Sequence, residues 1–391
     1  MKFAIVVGSL VMLGCGSGPG GGGGGGAGGT GGGGEGTLTF GPQTAIPTAT
    51  GRVVVTGDVN KDGKADLVVG ANGAMANGGN ALLGSGTGTF TTGAAFSTVA
   101  APSWIALGDL NGDGSADLVA TLGQGAPGGN IALLLGNGAG GFAMATGVAG
   151  ELNTAGVVTG DFNKDGKADA ATVNGTTASM GASVFLVGKT THDNYTVGKA
   201  PKSIGLADWN ADGQPDLAVG GGDSTGGNLT VLLGKPDGTF SALGMIPFAR
   251  ELQAIGAGDF DGDGKLDLVV GTGGGDVVVG LGKGDGTFTL GAPIHALFDF
   301  GAVEHLEVAD FNGGGRLDVA ALVIPGAGQA YLTVLLGNGN GTLQAPLKFG
   351  AFDTGGVTED SLTSGDYDGD GKRDLVVAHG SVVDMFLNRS R

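Results

Sequence analysis

The sequence predicts an all-β fold: a seven-bladed β-propeller of four-stranded blades, with an N-terminal strand closing the last blade. Three observations carry this. A nine-residue acidic phrase returns seven times; each copy is embedded in the same order of short apolar runs; and the phrase that ends the units is missing at the C-terminus but present near the N-terminus.

The acidic phrase reads DVNKDGKAD at Asp58, DLNGDGSAD at Asp109, DFNKDGKAD at Asp161 and DWNADGQPD at Asp208. It continues as DFDGDGKLD at Asp259, DFNGGGRLD at Asp310 and DYDGDGKRD at Asp366, with starts 51, 52, 47, 51, 51 and 56 residues apart. Periods of this size belong to propellers and solenoids. In each unit an apolar run such as RVVVTG enters the acidic loop and one such as DLVVG leaves it; two further runs then flank a Gly-rich turn, as in NALLGSGTGTF. Runs of four to six residues rich in Val and Leu and bounded by Gly, Asn and Asp are strand signals, and nothing has helical length. Four strands in each of seven units give a propeller.

Closure separates a ring from a solenoid. The unit-ending phrase falls at Phe90, Phe142, Phe240, Phe288 and Leu343, with a weak version at Tyr195, whereas the last unit stops at VVDMFLNRSR. The missing copy is EGTLTF, residues 35–40. A strand from this segment would complete the final blade and leave no open sheet edge.

Upstream, Lys2 precedes an apolar run from Phe3 to Leu13 and then Gly14-Cys15, which has the layout of a secretory signal. VMLGC resembles the lipobox of bacterial lipoproteins, which implies a signal peptide at 1–14, a lipidated Cys15 and export to a membrane-anchored position at the bacterial surface, or otherwise secretion. Cys15 is the only cysteine, so no intramolecular disulfide exists. Residues 15–36 are a Gly-rich linker with almost no side chains to bury, with a reach of roughly 25 Å as a flexible coil. The propeller is expected over 37–391.

The net charge is −18, and 22 of the 37 acids sit in the seven loops while the other 15 are outnumbered by 19 bases. No basic stripe suits nucleic acid, and the membrane is expected to be met only through the lipid anchor. The acidity is therefore local. Each loop offers side-chain oxygens at positions 1, 3, 5 and 9, with Gly at 6 where a sharp turn needs positive φ. A hard cation with six to eight oxygen ligands fits this supply, and Ca²⁺ fits better than Mg²⁺, which demands a tighter octahedron. An EF-hand is excluded: position 12 is Val69, Ala120 or another non-ligand, and no flanking helices are present. The ninth-position aspartate would have to close the site. Six or seven bound divalent ions would bring the net charge to −6 or −4.

These loops resemble those of the FG-GAP or VCBS repeat family, propeller repeats shared with integrin α subunits and many bacterial surface proteins. The resemblance covers 37–391 and implies Ca²⁺ ligands position by position. They are Asp58, Asn60, Asp62 and Asp66; Asp109, Asn111, Asp113 and Asp117; Asp161, Asn163, Asp165 and Asp169; and Asp208, Asn210, Asp212 and Asp216. Asp259, Asp261, Asp263 and Asp267 follow, then Asp366, Asp368, Asp370 and Asp374. The sixth loop departs, with Gly314 at position 5, leaving Asp310, Asn312 and Asp318 and a turn that can stand without metal. Asp263→Ala is expected to weaken one site, and loss of Asp318 to matter less.

No catalytic residues are expected. The G-x-S-x-G match at Ser224 lies in a gap between strands, and His192, His295, His305 and His379 lack metal spacing and read as surface or loop residues. Trp209, at loop position 2, reads as packing. Trp104, residues 248–253 and residues 294–308 read as long inter-blade connections on the face opposite the loops, where a protein or glycan ligand would bind. The expected function is a monomeric Ca²⁺-binding adhesion or binding module; the alternative is a polysaccharide-binding, lectin-like propeller, and more remotely a lyase or hydrolase.

Overall fold

The second strand of each unit is apolar on both sides of its pleat, so it can sit only where both sheet faces are covered. The computed structural model places it there. It describes residues 37–46, 51, 53–71, 77–122, 131–148, 154–176, 179–189, 191–296, 301–325, 329–353, 361–379 and 382–390; residues 1–36, on which the expected signal segment, Cys15 and linker fall, lie outside them. Every regular element in the described residues is a strand.

The first blade is an antiparallel sheet of Val53–Gly57, Asp66–Ala71, Gly78–Gly84 and Phe90–Ser97 in sequential order. Five more blades repeat that order over 102–148, 154–196, 201–248, 252–295 and 302–353, and the seventh holds Ser361–Gly365, Asp374–His379 and Val382–Phe386. The first strands of successive blades touch one another in a closed cycle that returns from the seventh blade to the first, so they form the inner wall of a ring. Burial falls from the middle to the rim. Asp117–Leu122, Asp267–Thr272 and Asp374–His379 are buried at every residue, whereas the outermost Phe90–Ser97 is mostly exposed. That gradient is why inner runs are continuous rather than alternating.

The core is divided into seven clusters, each shared by two neighbouring blades. Val55 and Val68 of the first blade, for example, pack with Leu107, Leu118 and Phe142 of the second. No blade buries its faces alone, so stability requires the whole ring.

Closure is as the sequence predicts. Thr44–Ile46 forms the outer strand of the seventh blade, with Thr44 opposite Met385 and Ile46 opposite Val383. Phe40 bridges Asn388, the position Phe90 takes opposite Gly84 in the first blade, and packs edge-on against Phe349 at 4.9 Å. Gln43 Nε2 donates to Asp384 Oδ2 at 2.6 Å, and the same oxygen lies 2.5 Å from His379 Nε2.

Two readings need correction. The long inter-blade connections are largely strand: Ile246–Phe248 and Ile294–His295 continue the outer strands of the fourth and fifth blades, and Pro102–Gly108, Leu252–Gly258 and Ala302–Ala309 are inner strands. Short apolar pieces interrupted by Gly or Pro look like loops in sequence but extend a neighbouring ladder. His379 is also not a surface residue, being 8% exposed within a strand. His305 stacks on Trp104 with centroids 5.1 Å apart, joining the inner strands of the sixth and second blades. Ser224 sits in the tight turn between Asp216–Asp223 and Gly226–Gly234, without the helix a nucleophile elbow needs. Trp209 is 1% exposed, as packing requires.

Candidate metal loops and the loop-face cavity

Each acidic loop joins the first strand of a blade to the second, so all seven lie at one end of the ring. Position 6 has positive φ in every loop, from 73° at Gly315 to 87° at Gly166. Position 4 is left-handed in every loop too, and there Lys61, Lys164 and Ala211 adopt φ of 61°, 58° and 57°. A Cβ in this region costs about 1 kcal/mol. Ala211→Gly should therefore stabilise the protein by roughly 0.5–1 kcal/mol, read as a higher denaturant midpoint; an unchanged or lower midpoint would contradict the strain.

Two left-handed residues curl the backbone so that its N–H groups converge on the side chains of positions 1, 3 and 5. Asp58 Oδ1 accepts from Asp62 N at 3.1 Å and Oδ2 from Gly63 N at 2.9 Å; Asn60 Oδ1 accepts from Asp62 N, and Asp62 Oδ1 from Lys64 N. The same bonds recur in the loops beginning at Asp161 and Asp208. In the sixth loop Gly314 donates to Asp310 and Asn312, so the turn persists without an acid at position 5.

The ninth-position aspartates behave differently. All seven are fully buried. Each accepts the N–H of loop position 2 on one oxygen and an N–H from the end of the third strand on the other, as Asp216 does from Trp209 at 2.9 Å and Gly234 at 2.8 Å. Gly234 admits no side chain, since a Cβ would lie 2.1 Å from the Pro215 carbonyl oxygen. Burial pushes these carboxyls up, to about 7 at Asp216 and about 6 at Asp169, Asp318 and Asp374, against the pull of their backbone donors.

The loops are also tied to the next blade. Position 2 inserts Val59, Leu110, Phe162, Trp209, Phe260, Phe311 or Tyr367, all buried. Its backbone carbonyl accepts an N–H from the outer turn of the following blade: Gly140 to Val59 at 3.0 Å, Gly286 to Trp209 at 3.3 Å, Gly341 to Phe260 at 3.0 Å and Gly88 to Tyr367 at 2.8 Å. At the closing junction Asn388 Nδ2 takes this role, donating to the Phe311 carbonyl at 2.6 Å. Edge-on pairs of position 2 with the unit-ending aromatic, Phe162 with Phe240 and Trp209 with Phe288, seal the same seams. Whatever stiffens a loop therefore stiffens a blade junction.

The donor sets suit a hard cation unequally. Carboxylate oxygens of Asp259, Asp261 and Asp267 lie within 4.8 Å of one another, and so do those of Asp366, Asp368 and Asp370. These two loops carry acids at positions 1, 3, 5 and 9; the four with Asn at position 3 and a full set otherwise place the same atom types at the same turn. Lysines at position 7 partly neutralise position 5, with Lys265 Nζ 2.6 Å from Asp263 and Lys372 Nζ 3.3 Å from Asp370. Beside the loops of the second to fifth blades a cavity of about 580 Å³ opens, bordered by Asp109, Asp161, Asp208 and Asp259 together with lysines and apolar side chains.

Closed ring, seven turns of one design and a shared register together define a repeat propeller. Residues 208–270, 259–321 and 310–377 match the FG-GAP-like repeat and residues 50–88 the FG-GAP repeat. The chain is an FG-GAP-repeat β-propeller, an architecture that fits a protein-binding module. Its fold is similar to a chain in the crystal structure of BBS1N in complex with ARL6DN, at 13% identity, covering 90% of this chain and 97% of that one with a TM-score of 0.59. It is also similar to Saccharomyces cerevisiae Sqt1, at 12% identity over 90% and 99% of the two chains and a TM-score of 0.53. A protein from Lactobacillus plantarum is 15% identical over 78% and 86%, with a TM-score of 0.51. At such identities the likeness concerns the fold. No curated protein matches the sequence.

Proposed function

We propose that the protein is a Ca²⁺-stiffened binding module, exported and held at the bacterial surface through Cys15, whose propeller recognises a protein partner as an adhesion domain does. The observation that carries the metal reading is the convergence of three carboxylates within 4.8 Å in each of two loops that also fasten adjacent blades. Like charges at that spacing repel, and a divalent ion removes the repulsion. The strongest sites are Asp259, Asp261, Asp263 and Asp267, and Asp366, Asp368, Asp370 and Asp374. The loops with Asn60, Asn111, Asn163 and Asn210 are weaker, and Asp310, Asn312 and Asp318 the weakest. A bound ion supplies charge compensation and rigidity; the chain supplies the oxygens and links each loop to the next blade through position 2.

Ion binding to the folded ring alone stabilises it by about 2.7 kcal/mol for each site at a hundredfold excess over the dissociation constant. Calorimetric melting in Ca²⁺ and in EDTA tests this directly. Chelation is expected to lower the melting temperature by several degrees, and Asp263→Ala or Asp370→Ala to shrink the difference; identical curves in both buffers would overturn the metal reading.

A further inference from the structure

Five residues before each acidic loop the inner strands carry Val53, Trp104, Gly156, Ser203, Ala254, His305 and Ser361. Five of these are small, which leaves room at the centre of the ring, and the second and sixth blades fill it with aromatic rings. In both strands the ladder is bulged just before that residue, between Pro102 and Trp104 and between Val303 and His305. A bulge re-aims the side chains beside it. Here the two rings meet, with centroids 5.1 Å apart and planes tilted by 31°. The second and sixth blades are not neighbours in the ring, so the stack crosses its central bore. Beside it lies a hollow of about 10 Å³, lined also by Gly156, Ser203, Gln253, Ala254 and Glu304 and large enough for one water. Trp104 and His305 are both half-buried. Glu304 is the other titratable side chain at the hollow, and nearby Lys202 is paired with Glu251 at 3.9 Å. Of the strands packed on Ala302–Ala309, Leu252–Gly258 and Ser361–Gly365 carry no charged residue, Asp267 and Asp318 sit at the loop end of theirs, and Asp276 is bonded to His295. Glu307, on the same strand as His305, faces Ser364 of the seventh blade.

We propose that Trp104 and His305 form a pH-set brace across the bore. While neutral, the imidazole stacks on the indole through dispersion alone. Once protonated, it presents a cation to the indole face within the roughly 6 Å over which cation–π attraction acts. Half-burial leaves the imidazolium partly hydrated, and the Glu304 carboxylate favours the same charge state. The titration midpoint of His305 is therefore higher in the folded protein than in the unfolded chain. The added strength of the contact is fully present below the unfolded midpoint and is lost as pH rises through the folded one. Five residues of strand, roughly 16 Å, separate the stack from the acidic loops, so the brace does not depend on ions bound there.

Loop position 2 already holds Phe in three blades, so Trp209→Phe should be tolerated and leaves Trp104 as the sole indole. At fixed Ca²⁺ its emission should fall along one sigmoid between pH 8 and 5.5, because an imidazolium quenches an indole it touches. In His305→Phe and His305→Gln the sigmoid should vanish; in Glu304→Gln it should remain, displaced to lower pH. By NMR with labelled histidine, the resonance absent from His305→Phe should titrate about half a pH unit lower in Trp104→Leu than in the parent. A sigmoid that survives removal of His305, or that Glu304→Gln abolishes, would assign the titration to another group. An unmoved midpoint in Trp104→Leu would show that the indole does not hold the cation. Any of the three overturns the proposal.

Discussion

Asp318→Ala is expected to destabilise the protein by about 3–5 kcal/mol, even in metal-free buffer. The carboxylate is fully buried and accepts N–H groups from Phe311 at 2.9 Å, Asn312 at 3.3 Å and Gly337 at 2.8 Å. Alanine would leave these donors facing a void. Gly337 and Asp318 are both buried, so the Gly337 N–H has no bulk water to turn to. Hydrogen bonds to a charged acceptor contribute about 1.5–3 kcal/mol each, so two strong ones suffice for the expected loss. Asp263→Ala is the contrast. That carboxylate is exposed and held low mainly by its bond from the Lys265 side chain, so its removal should leave the metal-free denaturant midpoint nearly unchanged and act only when Ca²⁺ is added. The order is the reverse of the one the sequence suggests. Equal midpoints for the two variants in EDTA would show that the ninth position is not the structural anchor.

That reversal marks the boundary of what the residues reveal by themselves. Period, strand order, the Gly at position 6, the buried residue at position 2 and the closing N-terminal segment all have local chemical signatures, and each is found where the sequence puts it. Asp at position 9 does not. It reads as one more oxygen for a cation, because the N–H groups it anchors, such as Gly84 for Asp66 and Val187 for Asp169, lie 18 residues away. Left-handed position 4 is hidden where Lys61, Lys164 and Ala211 stand in place of glycine. The cavity is equally invisible, because it is assembled from loops of four blades. Trp209 stands out as the one indole at position 2 and Gln214 as the one amide at position 7, but that Trp209 Nε1 and Gln214 Oε1 find no partner among the described residues is a property of packing.

Glu307→Gln is expected to make the stability of the protein fall less steeply above pH 5. Three residues before the loop, the other inner strands carry Val55, Ala106, Val158, Gly205, Gly256 and Thr363. The sixth carries a fully buried acid. Ser364 Oγ donates to Glu307 Oε2 at 2.8 Å from the seventh blade, whereas Oε1 has no partner among the described residues. Beside it Tyr367 bonds Thr56 at 2.6 Å, so the acid abuts the polar seam joining the last blade to the first. Burial pushes its carboxyl up to about 8, against the opposing pull of Ser364 and Arg373. In the unfolded chain it ionises near 4.5. Below that pH the group is neutral in both states and costs nothing electrostatically. As pH rises from there to about 8 the unfolded chain releases the proton first, and each unit removes about 1.4 kcal/mol of stability until the folded group ionises too. An amide of the same shape does not titrate. The stability difference between Glu307→Gln and the parent, measured by denaturation in EDTA at pH 5, 7 and 9, should therefore grow in favour of the variant by roughly 3–5 kcal/mol. Taking the difference cancels the shared titration of the ninth-position aspartates, so parallel curves across that range would place the charge of Glu307 in water and not in the seam.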